Sequence, residues 1–242
     1  MFRRSTLLLL LVVTLLGYNT HFSQGTNLPG FDDKPFHFGF ALSVNQSSNY
    51  ISRSTSWEFS NDSLNELIVN AKPGFTLGVI SSINLNENCK LRFAIPSLSF
   101  QERILSYTYL DPSGGESIKY LKSLQPVYLD FPALIKFRTD RINNYAVYGI
   151  TGLRFGIDMA SDIEAENIGL PREEQIVKLK KTDFGFEVGG GFDFFLQYFK
   201  LGLELKLGVG MVDIHQNEET HFDNPIEALR SKVWTFSITF EG

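Results

Sequence analysis

The chain has 242 residues and a formal net charge of −5, and 43% of it is apolar, including 22 Phe and 9 Tyr. That balance leaves no footprint for nucleic acid, which demands clustered Lys and Arg. A single cysteine, Cys89, excludes an intramolecular disulfide and any cysteine metal cluster.

Arg3 and Arg4 precede an apolar run over residues 7–16, after which the chain turns polar at Tyr18, Asn19 and Thr20. A basic start and roughly ten apolar residues predict a signal peptide, because a membrane-crossing helix needs about 20. We place it over residues 1–24, although no A-x-A box marks a cleavage site. A polar, Pro- and Gly-punctuated arm over residues 25–35 is expected in the periplasm. No later run approaches 18 apolar residues, so no transmembrane helix is expected.

From residue 36 onward the pattern has period two, the repeat of a strand with unlike faces. The first strand sets Phe36, Phe38, Phe40, Leu42 and Val44 against His37, Gly39, Ala41, Ser43 and Asn45. A Ser- and Asn-rich segment, residues 46–70, reads as a loop. The second strand carries Phe75, Leu77 and Val79 and ends in an Asn-rich turn over residues 84–88. The third rises through Leu91 and Phe93, is interrupted at Pro96, and is expected to continue to Tyr109.

Residues 111–119 read as a loop, with Pro112, Gly114 and Gly115. The fourth strand, about residues 125–138, alternates Val127, Leu129, Phe131 and Ile135 with Tyr128, Asp130, Leu134 and Lys136. A short turn, 139–144, leads to the fifth, where Tyr145, Val147, Leu153 and Phe155 oppose Tyr148, Gly152, Arg154 and Asp158. A charged loop, 160–181, precedes the clearest hairpin, 183–212. One of its faces is Phe184, Phe186, Val188, Phe192, Leu201, Leu203 and Leu205; the other is charged residues and glycine. A further polar loop, 213–231, leads to a last strand with Trp234, Phe236, Ile238 and Phe240 on one parity.

Eight strands result, and their connections alternate long and short. Outer-membrane barrels have even strand numbers, short periplasmic turns and long outer loops, whereas a soluble sandwich has no reason to sort its loops by end. The expected fold is therefore all-β: an eight-stranded antiparallel transmembrane barrel over residues 36–242, in the outer membrane, with long extracellular loops and short periplasmic turns. A lipocalin-like soluble barrel is the rival, but it would put the glycines on a water-facing surface that polar residues fill better.

In this barrel Phe38, Phe40, Val188, Phe192, Leu201, Leu203, Leu205, Phe236 and Ile238 face lipid. Arg92, Asp130, Lys136, Arg138, Arg154, Asp158, Glu187, Asp193, Lys200, Glu204 and Lys206 face the lumen. Both signs are nearly equal in number, so a salt-bridged plug is expected rather than a conducting pore, for which eight strands leave little room. No enzyme is expected: no nucleophile, base and orienting acid can be assembled. His37 is expected to hydrogen-bond in the lumen, and His215 and His221 to be solvated loop residues. No cofactor or metal is implied. Gly189, Gly190 and Gly191 lie inside a strand with no helix after them, which excludes a phosphate loop.

Several segments resemble PorT-type outer-membrane proteins of the Bacteroidetes. They are the stretch from Leu28 through Pro29, Gly30, Phe31, Asp32 and Asp33 to Phe40; Tyr128 to Phe137; Arg141 to Tyr145; Asp183 to Phe194; and Trp234 to Glu241. The resemblance implies a non-enzymatic component of the type IX secretion system, which exports proteins to the cell surface and delivers adhesins in gliding species. Outer-membrane lipid and other type IX components are the implied partners, with the barrel-insertion machinery reading the last strand during biogenesis. The resemblance supplies no active-site residues. A small porin-like or ligand-binding outer-membrane barrel outside secretion is the alternative.

Overall fold

The computed structural model describes residues 26–54, 64–93, 96–111, 116–167, 169–218 and 220–242. The expected signal peptide, residues 1–24, lies outside them. Thirteen strands occur among the described residues: β1 (Phe36–Arg53), β2 (Leu64–Asn84), β3 (Cys89–Phe93), β4 (Ser97–Phe100), β5 (Arg103–Tyr109), β6 (Ile118–Leu124), β7 (Val127–Arg138), β8 (Tyr145–Asp158), β9 (Lys178–Leu179), β10 (Thr182–Phe195), β11 (Lys200–Gly210), β12 (His215–Gln216) and β13 (Ile226–Glu241).

An antiparallel ring closes around eight positions: β1, β2, the interrupted pair β3 and β4, β7, β8, β10, β11 and β13. β1 and β13 seal it over a long ladder from Gly39 opposite Glu241 to Tyr50 opposite Arg230 and beyond. Closure pairs the two outer strands of the sheet, whose open edges in lipid would present amides with no water to bond. β3 ends at Phe93 and β4 begins at Ser97, so the break falls at the expected Pro96.

The wall obeys its parity. Phe38, Phe40, Phe192, Leu205 and Phe236 are exposed on the outside, while His37, Arg92, Asp193, Lys200 and Glu204 are buried within. Glycines let the inside fill. A Cβ on Gly191 would come within 2.7 Å of the Tyr148 hydroxyl, whose ring lies across that glycine. Gly202 leaves equivalent room for Thr239, 2.2 Å from where a Cβ would sit.

Above the membrane the reading of the chain has to be corrected. Residues 46–70 are not one polar loop: β1 runs on to Arg53 and β2 already begins at Leu64. The third strand does not continue to Tyr109 within the barrel. After β4 the chain leaves the wall, and β5 pairs with the upper part of β2, Ala71 opposite Arg103. β6 then adds beyond β5, inside what read as a loop followed directly by the fourth strand. The remaining long loops carry β9 and β12, paired with each other, and β13 starts at Ile226 rather than after residue 231.

The cause is a switch of faces on β2. Below Lys72 the inward residues are Thr76 and Gly78, which line the lumen; above it Leu67 and Val69 turn in instead. The change falls beside Pro73, just where β2 gives up pairing with β1 at Lys72. The β2–β5–β6 extension thereby gains an apolar inner face. It packs against Val177, Leu179, Ile214, Phe222, Ile226 and Leu229 to form a core outside the membrane.

Candidate functional site

Three layers occupy the axis of the barrel. The lowest is the arm. Although it read as a polar tail, Phe31 is buried, stacked on His37 with ring centroids 4.0 Å apart and edge-on to Phe195 at 5.8 Å. Asp32 accepts from Lys90 and Arg138 at 2.8 Å each. Asn27 donates to the Phe195 carbonyl, and Arg141 donates to the Asn27 carbonyl at 2.5 Å. The arm thus corks the periplasmic mouth, where the C-terminal end of β13 and the three short turns lie. Burial alone would raise the Asp32 carboxyl, but hydrogen bonds and charge from Arg138 and Lys90 outweigh it and hold it at about 2.

The middle layer is a mesh of ion pairs. Lys136 meets Asp193 at 2.8 Å, and Lys200 meets Glu241 at 2.9 Å. Arg92 forks between Glu204 at 2.9 Å and Glu241 at 3.3 Å. The Tyr148 hydroxyl donates to Glu204 at 2.9 Å, and its ring lies 3.5 Å beneath the Lys136 ammonium. Lys206 links this group to the next through Glu187 at 3.1 Å and Glu204 at 3.6 Å. Higher up, Arg154 bridges Asp130 at 2.6 Å and Asp183 at 2.5 Å. Such a mesh is tolerable because each buried charge has a partner of opposite sign.

Two charges expected in this mesh are placed elsewhere. Arg138 pairs with Asp32 of the arm. Asp158 forms no ion pair among the described residues and accepts backbone N–H groups of Val127 and Ala160 at 3.0 Å each. Asp183 and Glu241 join the mesh beyond the charges expected there, and both share the polar parity of their strands. Lys90 lies too close to a turn for its face to be assigned from parity. Arg103, fully buried, donates to Gln101 and to the Ser48 carbonyl; its position follows from the β2 face switch and has no local signal.

Space inside the wall is small. A cavity of about 80 Å³ lies among Ser43, Thr76, Ser99, Arg92, Asp130 and Glu204. It has room for two or three waters at roughly 30 Å³ each.

The top layer is the cap. Tyr107, Tyr109, Tyr120 and Phe222 cluster there edge to face, and the Tyr107 hydroxyl donates to the Phe222 carbonyl at 3.0 Å. The loop histidines are not solvated as expected. His215 is buried with its Nε2 2.9 Å from Asp223, whose other oxygen accepts from Thr220 at 2.7 Å. His221 stacks on Tyr109 at 4.8 Å. Beside this core, Asp213 is held below its usual range: burial opposes the shift, but the amides of His215 and Leu229 and the Lys180 ammonium prevail.

A closed eight-stranded wall, apolar outside and charge-paired inside, defines an outer-membrane β-barrel. A family model, the outer membrane protein beta-barrel domain, matches residues 22–216, and the chain belongs to that family. The protein accordingly resides in the outer membrane, with its wall in lipid. No curated protein sequence matches the chain. Among solved structures it is similar to the outer membrane protein OprG from Pseudomonas aeruginosa, at 13% identity over 85% of this chain and 93% of that one, TM-score 0.42. It is also similar to Neisserial surface protein A, at 11% identity over 83% and 95%, TM-score 0.39. The attachment invasion locus protein of Yersinia pestis is a third, at 10% identity over 86% and 100%, TM-score 0.37.

Proposed function

We propose that this barrel is a non-enzymatic membrane anchor for its extracellular cap and serves type IX secretion as an accessory component. The observation carrying the anchoring role is closure at three levels: the arm at the periplasmic mouth, the ion-pair mesh in the middle and the cap above. A barrel so filled offers no conduit, and its functional surface is then the cap, since loops held on a rigid scaffold are where binding concentrates. The step from anchor to secretion rests on the ordered set of segments resembling PorT-type proteins. Partners would be other components of that system, contacting the upper β1–β2 extension, the β5–β6 hairpin and the 160–181 and 213–231 regions.

Gene deletion tests the assignment. Exported proteins should fail to reach the cell surface and should return when the intact gene is restored; normal surface delivery in the deletion strain overturns it. The alternative, a small porin-like or ligand-binding barrel, is favoured by the lumen cavity alone. It predicts single-channel conductance in planar bilayers, where the proposed anchor gives none.

A further inference from the structure

The outer wall carries one polar patch that neither the charge mesh nor the cap uses. On β13 the outward parity runs Phe240, Ile238, Phe236, Trp234 and then, abruptly, Lys232 and Arg230. On the neighbouring β1 it runs Phe40, Leu42, Val44 and then Gln46, Ser48 and Tyr50. Register sets these breaks side by side: Gln46 opposite Trp234, Ser48 opposite Lys232 and Tyr50 opposite Arg230. On the other flank β11 stays apolar, with Leu207 opposite Trp234 and Val209 opposite Lys232.

Height locates the patch. A strand rising about 3.4 Å per residue and inclined by about 40° climbs roughly 2.6 Å per residue. Lys232 and Arg230 then stand about 21 and 26 Å above Phe240, against an apolar belt about 25 Å tall. They lie at the outer boundary of the hydrocarbon, with Trp234 about 5 Å below Lys232, within it. Lys232 sits over the Tyr50 ring, 5.0 Å from its centroid, and neither cation forms an ion pair among the described residues.

We propose that this patch binds the phosphorylated glycolipid of the outer leaflet. Arg230 and Lys232 take its phosphates, Gln46, Ser48 and Tyr50 hydrogen-bond its sugar and amide groups, and Trp234 packs on the first methylenes of its acyl chains. Two cations beside three uncharged polar side chains, over an apolar wall, match an anionic headgroup bearing long chains. A soluble anion has no use for the wall beneath. The inference is independent of any role in secretion.

Purified full-length protein in mixed micelles, titrated with bisphosphorylated or dephosphorylated lipid A, tests it. At roughly fivefold per cation the wild type should prefer the phosphorylated form by about thirtyfold. The Arg230→Gln, Lys232→Gln double variant should bind both forms alike, with an unchanged melting temperature. Arg230→Lys should keep most of the preference. A double variant that retains the preference overturns the proposal, as does a wild type with none. Displacement of the lipid by millimolar inorganic phosphate would reassign the site to a free anion. If the double variant does not fold, Lys232→Gln alone must lose about fivefold, and an unchanged preference there also defeats the idea.

Discussion

The wall in the membrane and the cap above it are built from the same strands with opposite polarity. Along β2, Leu77 and Val79 point outward while Thr76 and Gly78 point in; a few residues earlier Leu67 and Val69 point in while Ile68 is exposed. Below, the surroundings are hydrocarbon, so apolar side chains go out and charges must satisfy one another inside. Above, the surroundings are water, and the hydrophobic effect puts Leu105, Tyr107 and Phe222 in the centre. One chain serves two solvents by changing which parity faces the axis, and it makes the change beside a proline, where the ladder is already interrupted.

The two regions should therefore fail differently. Arg92→Ala removes the cation shared by Glu204 and Glu241, leaving them to Lys206 and Lys200, and breaking a buried charge cluster costs about 3–5 kcal/mol. The loss should appear as a lower urea midpoint for the whole barrel in lipid vesicles. Phe222→Ala removes the centre of the aromatic cluster at a comparable cost of about 3–5 kcal/mol, but confined to the cap. Extracellular protease should then cut the loops while heat-modifiable gel migration, the mark of an intact barrel, stays unchanged. Global unfolding by Phe222→Ala would show that cap and wall are one cooperative unit. Leu203→Arg, in the middle of β11, places a charge against lipid and should cost about 2–4 kcal/mol. An unchanged folding yield would mean that the faces are reversed.

The smallest effect concerns the arm. Because the Asp32 carboxyl is lowered from 3.8 to about 2 in the folded state, its contribution is complete above about pH 4. It is lost as pH falls towards 2 and, screened by solvent at the mouth, amounts to about 1 kcal/mol. Asp32→Asn should remove that contribution at neutral pH and flatten the acid limb. Proteolysis of the arm between pH 5 and 2 reads both; equal acid sensitivity in wild type and variant would assign the arm's hold to Phe31 alone.

The sequence disclosed the wall and concealed the cap for a physical reason. Each transmembrane strand carries its own evidence, since Phe184, Phe186 and Val188 must all meet lipid and Asp183, Gly185 and Glu187 must not. The cap core is assembled from single residues in polar stretches, such as Val177, Ile214 and Phe222, which share no period. The β5–β6 hairpin is short, and its inward face includes Arg103 and Lys122, so its alternation is mixed. Phe31 and Asp32 stand in a segment with no repeat, and nothing local says that partners wait at Lys90, Arg138 and Phe195. Most lumen charges were legible from parity; Asp183 and Glu241 sit at strand ends and Lys90 beside a turn, where parity is weakest.

The cork at the periplasmic mouth also has a meaning in time. Asp32 bonds Arg138 across 106 positions, and Asn27 bonds the Phe195 carbonyl across 168. Contacts so distant in the chain come late, after nearer pairings have shortened the loops between them. The arm's seat needs β3, β7 and β10 to stand around one mouth, which they do once they have paired with one another through β8. Its docking then comes late, and protection of the arm reports that these strands have assembled in a newly inserted barrel.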